Sequence, residues 1–144
     1  MTISGGLSLV VFSGGYDRVH YALAMAAAAA ATGRPVSLLF SGRALTALLA
    51  ESAPGRQGWL GLDPADDGSL PAERDRVFAE RGIATLDELL TACAALGVTV
   101  IACEMALRAL GLPAGSRLRD DVPATVGGIV SFLGTTAGAN IIFV

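Results

Sequence analysis

Cys103 is the residue best placed for chemistry, because it follows the apolar run Val98-Thr99-Val100-Ile101-Ala102 and precedes the helix-forming stretch that opens Glu104-Met105. A cysteine between a strand's carboxyl end and a helix N-terminus meets orphan backbone N–H groups and the positive end of the helix dipole. Both favour the nucleophilic thiolate. The charge of Glu104 opposes this unless its side chain turns away, and a packed, inert cysteine at a strand end is an equal reading of the same position. Cys93 is different, since Leu86, Leu89, Leu90, Cys93 and Leu96 share one face of a helix. There a thiol packs as a small hydrophobe, and desolvation silences it.

Other nucleophile and ligand patterns are absent from the sequence. It has no Gly-x-Ser-x-Gly elbow and no Cys-x-x-Cys pair, and its only histidine, His20, stands in an early helical turn beside Tyr21. Two cysteines ten positions apart and one histidine make no metal-ligand set, so neither metal nor cofactor is expected. Ser13-Gly14-Gly15 follows a strand-like run and offers backbone N–H groups to an anion, yet lacks both the dinucleotide fingerprint and the P-loop lysine. Asp17 just beyond it fits the start of a helix equally well.

The elements that must position these residues alternate. Residues 7–12, 36–40 and 98–102 are apolar runs of the kind that fill strands buried on both faces. Alanine-rich residues 17–32 form a helix that Gly33 and Pro35 stop, and a second helix is predicted over 43–50. Thr85 and Glu88 make a capping box for a helix that Gly97 ends. A short helix over 104–110 is closed by Gly111 and Pro113. Residues 121–123 read as a short strand, 125–136 as a last helix containing Gly127-Gly128, and 140–144 as a final strand.

Such alternation predicts one α/β domain over residues 1–144, a three-layer sandwich with a mainly parallel sheet of about five strands and helices on both faces. Ligands in these folds gather at the carboxyl ends of the strands. Three loops meet that description, and they make Ser13, Gly14, Gly15, Ser41, Gly42, Glu104 and Met105 the candidate ligand-binding residues around Cys103. Residues 52–71, rich in glycine, proline and aspartate, form a long loop. Its Trp59 either covers a site or anchors the loop.

Composition narrows the function. The 144 residues contain ten arginines, no lysine and thirteen carboxylates, for a net charge of −3. The arginines are scattered, and Arg74, Arg76 and Arg81 alternate with Glu73, Asp75 and Glu80 as on a solvated face. Nucleic acid is therefore not an expected partner. The apolar residues 19–31 fall short of the ~20 needed to cross a membrane, and the chain opens without a signal-peptide pattern. A cytoplasmic location with reduced cysteines is the expectation. The alanine-rich helix and the apolar final strand carry little charge, which points to a homo-oligomer.

The motifs Leu86-Asp87-Glu88-Leu89-Leu90, Leu96-Gly97-Val98, Ile101-Ala102-Cys103-Glu104-Met105 and Leu110-Gly111-Leu112 resemble the DsrE/DsrF-like family of sulfur-relay proteins, in particular its peroxiredoxin-like branch. Val126-Gly127-Gly128-Ile129 and Ser13-Gly14-Gly15-Tyr16-Asp17-Arg18 extend the likeness over nearly the whole chain, with a departure at Ser41-Gly42-Arg43-Ala44. The resemblance implies a homo-oligomeric sulfur carrier that holds sulfane sulfur as a persulfide on Cys103 and relays it to a partner thiol, with a thiol-bearing sulfur donor or acceptor protein as its partner. The alternative is a non-enzymatic, homo-oligomeric small-ligand-binding module of the same fold.

Overall fold

Three consecutive apolar runs without polar alternation have one stable placement, the middle of a sheet covered on both sides. The computed structural model, which describes residues 5–112, 117–136 and 138–144, puts them there as β1 (Leu7–Val11), β2 (Val36–Phe40) and β3 (Thr99–Cys103). Adjacent residues of these strands are buried, so both faces are covered: Leu7, Ser8 and Leu9 in β1, Leu38, Leu39 and Phe40 in β2, Val100 to Cys103 in β3. The sheet has five strands, all parallel, in the order β4-β3-β2-β1-β5, where β4 is Ala124–Gly127 and β5 is Asn140–Phe143. The fold is the expected three-layer α/β sandwich.

The strand order explains the layers. From β1 to β4 the chain advances one position at a time in one direction, then crosses the whole sheet to place β5 beside β1. Right-handed crossovers put the returning connection, α5 (Ile129–Thr135), on the face opposite α1 (Tyr16–Ala31). α3 (Leu86–Ala95) packs along α1, and close contact is possible because the α1 face is built from Ala22, Ala26 and Ala29. The capping box forms as expected: Thr85 Oγ1 accepts from the Glu88 amide at 3.3 Å, and the Glu88 carboxylate accepts from the Thr85 amide at 3.4 Å. A cap of this kind contributes about 1 kcal/mol.

Four local expectations need correction. The segment after β2 is a 3₁₀ helix, Gly42–Leu48, instead of an α-helix over 43–50. It is ended early because Ala50 and Arg119 amides pair across to Arg117 and Leu48 carbonyls in an antiparallel bridge. The fourth strand is Ala124–Gly127 and not 121–123, and it takes over the start of the helix predicted from 125. Thr125 and Val126 are β-branched and find Ile101 and Ala102 as ladder partners, so Gly128 becomes the N-cap of α5. β1 stops at Val11, and Phe12 leaves the sheet, half exposed against Phe143 at 5.4 Å between ring centroids. Finally, the 52–71 loop contains a 3₁₀ turn, Gly58–Gly61, and its last residue Pro71 opens α2 (Pro71–Glu80), which carries the charged stretch. α4 (Glu104–Ala109) ends just before Gly111, which has φ +72°; Pro113, the expected stop, lies outside the described residues.

α2 is not only a solvated face. Asp75 Oδ1 accepts from the buried Tyr16 hydroxyl at 2.5 Å and from the Leu86 amide at 2.8 Å, so one carboxylate ties α1 to the start of α3. Burial first, and Asp75 second, push the Tyr16 phenol far above its ordinary value. Arg74 lies over the Phe78 ring at 4.6 Å and pairs with Asp17 at 3.2 Å. Arg76 and Glu80 do form the exposed pair expected of a solvated face.

Candidate functional site

β1 and β2 are parallel neighbours with Val11 level with Phe40, so their exit loops emerge side by side. Each exit is made of small residues, and two glycines are required by what they touch. A Cβ on Gly14 would lie 2.5 Å from Arg43 Cβ and 2.7 Å from an Asp63 carboxylate oxygen, inside any real contact. Gly42 has φ +49° and would place a Cβ 2.6 Å from the Phe12 carbonyl oxygen. These close approaches leave a cleft of about 280 Å³ lined by Phe12, Ser13, Gly14, Gly42, Arg43, Ala109 and Leu110. It opens at the carboxyl ends of the strands, where parallel sheets bind ligands.

The 52–71 segment reaches this cleft through Asp63. The Asp63 amide donates to the Gly14 carbonyl at 2.8 Å and its own carbonyl accepts from the Tyr16 amide at 3.1 Å. Its carboxylate accepts from Arg43 Nε at 2.8 Å, and Arg43 Nη2 donates to the Gly61 carbonyl at 3.4 Å. With both partners about half exposed, this ion pair contributes at most about 1 kcal/mol. Its larger effect is to tie the 52–71 segment to the start of the Gly42–Leu48 helix.

Of the residues expected in the site, Ser13, Gly14 and Gly42 line the cleft. Gly15 caps α1 behind it, and Ser41 is buried beside it. Glu104 and Met105 are exposed on the first turn of α4, away from the lining. The expected anion cradle is largely occupied: the Ser13 amide donates to the Val144 carbonyl at 3.1 Å, and the Gly15 amide to its neighbour Ser13 Oγ at 3.4 Å. Phe12, Arg43, Ala109, Leu110 and Asp63 are the site residues that sequence reasoning missed. Arg43 stood within one of the loops considered, and its signal was the charge itself beside two small residues. Asp63 had none, because it is brought in by a loop docking from 20 residues away.

Cys103 is the last residue of β3 and the N-cap of α4, as its spacing predicts, but its side chain is 0% exposed. β3 is paired on both sides, with Cys103 level with Gly127 of β4, and α4 folds back against the Gly42–Leu48 helix, which together enclose the sulfur. Cys103 and the cleft lie at opposite ends of α4, about 9 Å apart along six residues of helix. Cys93 is equally buried; it donates a weak hydrogen bond to the Leu23 carbonyl at 3.7 Å, and desolvation pushes its thiol up to about 11. Both thiols are free.

The remaining chemical candidates hold the fold together. His20 is buried, donates from Nε2 to the Ala84 carbonyl at 2.8 Å and packs its ring edge on Phe78 at 4.6 Å. Trp59 anchors its loop: the ring is buried, and Nε1 donates to Gln57 at 2.6 Å and to Asp87 at 3.3 Å. Arg119 joins this knot, bound to Asp87 at 2.8 Å and to Asp121 at 2.7 Å. It borders a second cleft of about 290 Å³ with Glu51, Arg117, Asp120 and Asp121. That cleft sets three carboxylates against two arginines, and one of the two, Arg119, already holds two carboxylates. Among the described residues there is no cluster of three or more metal-ligating side chains, and no helix is long and apolar enough to cross a membrane. No protein-family model matches this chain, and no curated protein matches it either.

Proposed function

We propose that this chain is a homo-oligomeric module that binds a small ligand in the cleft at the carboxyl ends of β1 and β2, without covalent chemistry at Cys103. One contrast carries the reading. The cleft between Phe12, Arg43 and Leu110 is open, whereas the one thiol suited to chemistry is fully buried. Thiol exchange needs an exposed sulfur, since the attacking and leaving atoms must lie in line with it.

Self-assembly is supported by apolar side chains left in solvent on the late elements: Val126 of β4, Ile129, Val130 and Leu133 of α5, Ile141 and Phe143 of β5. Val130 is 87% exposed and Phe143 68%, and because β4 and β5 stand at opposite edges of the sheet, apolar surface suited to self-association lies at both edges. Two free cysteines fit a reducing compartment, the cytoplasm.

A second reading has its own support in the place of Cys103. Sulfur relay of the DsrE/DsrF-like kind requires only that α4 shift enough to uncover the residue that begins it. The Cys103 thiolate then attacks a sulfane sulfur, and the donor's bond to that sulfur breaks with its electron pair leaving on the donor; a partner's thiolate next attacks the outer sulfur of the persulfide, breaking the S–S bond and releasing the Cys103 thiolate. Treating the native protein with thiosulfate or polysulfide and then with iodoacetamide, followed by intact mass, separates the two. The binding module predicts an unmodified Cys103 until the protein is denatured. Gain of one sulfur by the native protein, absent in Cys103→Ser, overturns it in favour of the relay.

A further inference from the structure

We infer that the ligand of the cleft at the carboxyl ends of β1 and β2 is a small uncharged apolar molecule; this rests on the cleft being a binding site. The lining presents carbon almost throughout, from the side chains of Phe12, Ala109 and Leu110 and from Gly14 and Gly42, where no side chain intervenes. The polar groups of the two loops are already engaged. The Phe12 and Ser13 amides donate to the Val144 carbonyl at 2.8 and 3.1 Å, the Phe12 carbonyl accepts from the Ala44 amide at 3.4 Å, and the Gly14 carbonyl accepts from the Asp63 amide at 2.8 Å. Ser13 Oγ accepts from the Gly15 amide at 3.4 Å. Arg43, the one charged residue of the lining, is neutralised by Asp63 and bonded to the Gly61 carbonyl. An ion entering here gives up hydration without gaining a partner, whereas apolar surface gains by leaving water.

The apolar wall is preformed. Phe12 stays half exposed, yet its ring is fixed on two sides. It lies so close to Gly42 that a Cβ there would come within 3.0 and 3.1 Å of two ring carbons, and the Phe143 ring stands 5.4 Å away between centroids. A ring held in this way has no route to bury itself, so an apolar molecule that covers it is stabilised by the area removed from water. The charge balance points the same way: with its arginine neutralised, the cleft has no net charge to attract or orient an ionic partner, which matches an uncharged occupant. The space sets the occupant's size. A cavity of about 150 Å³ takes up benzene, so one of about 280 Å³ suits a molecule of roughly ten non-hydrogen atoms.

Titrations with propylbenzene, 3-phenylpropanoate and 3-phenylpropylammonium, followed by amide shifts in the NMR spectrum, test the class of ligand, since the probes share one apolar body and differ in charge. Propylbenzene should bind at least about tenfold tighter than either ion, with shifts at Phe12, Gly42, Ala109 and Leu110. Phe12→Ala should weaken propylbenzene by about fivefold or more. Ala109 is exposed in the last turn of α4, where a cation suits the helix end, so Ala109→Lys should keep the fold while weakening propylbenzene and tightening 3-phenylpropanoate. Equal or tighter binding of either ion at these residues, or propylbenzene binding that both substitutions leave unchanged, overturns the uncharged ligand while the cleft stands. Shifts at the same residues on concentrating the protein without a probe assign the cleft to a second copy and overturn the small ligand. Absence of shifts there with every probe overturns the cleft itself.

Discussion

The centre and the edges of the sheet both carry apolar residues and are treated oppositely by the fold. Strands β1 to β3, under α1 and α3, bury almost every apolar residue they contain: Leu9, Leu38, Phe40 and Ala102 are 0% exposed. Strands β4 and β5 lie at the two edges, and with α5 they leave Val126, Val130, Leu133, Ile141 and Phe143 half or more exposed. Among the described residues of these late elements, Phe132 of α5 is fully buried in the core, and Ile142 of β5 packs against it partly buried. The difference teaches that apolar composition states a need for burial, while position in the strand order decides whether the chain itself meets that need. Where it does not, the partner in the proposed assembly must.

Substitutions in the two regions sharpen or break this comparison. The largest effect belongs to Leu38→Ala in the central strand, which should lose about 3 kcal/mol of stability in urea denaturation, independent of protein concentration. A loss below about 1 kcal/mol would mean that the centre is no better packed than the edges. Next comes the pH dependence of the buried Cys93. Its thiol is held at about 11 against an ordinary 9.0, so between these values the unfolded chain has lost a proton that the folded chain keeps. Stability, full below pH 9, should therefore fall by up to about 2 kcal/mol as the pH rises to 11. Cys93→Ala should flatten that slope, as measured by urea midpoints across the range.

A smaller effect is expected from Thr85→Ala, which removes the capping box of α3 and should cost about 1 kcal/mol, read as a lower thermal midpoint. Smallest in stability is Val130→Arg on the exposed half. It should change the unfolding free energy of the dilute protein by less than about 0.5 kcal/mol. It should nevertheless lower the mass seen by sedimentation from an oligomer to a monomer, a response no buried position would give without unfolding. An unchanged mass would remove α5 from the proposed interface.

Much of the fold was legible because its signals are local. Unbroken apolar runs marked β1, β2 and β3, Thr85 and Glu88 marked the start of α3, and alternation of strands with helices implied the parallel sheet. The errors came where a short segment is decided by its partner: 125–127 reads as the start of a helix until β3 offers Thr125 and Val126 a ladder, and 43–50 reads as an α-helix until the 117–119 segment captures its end. The site was legible by half. Ser13, Gly14 and Gly42 follow from the rule that loops at strand ends hold ligands. Arg43 and Asp63 become a pair only when the 52–71 segment docks.

By itself the sequence determined that this chain is a parallel α/β domain and that Cys103 sits between a strand and a helix, because burial pattern, caps and turn residues act over a few positions. Only the tertiary structure decided that the Cys103 sulfur is enclosed, that the open cleft lies at the other end of α4, and that β4 and β5 keep their apolar faces in solvent. Those outcomes depend on which strands stand beside which, and strand order is set by packing among residues far apart in the chain.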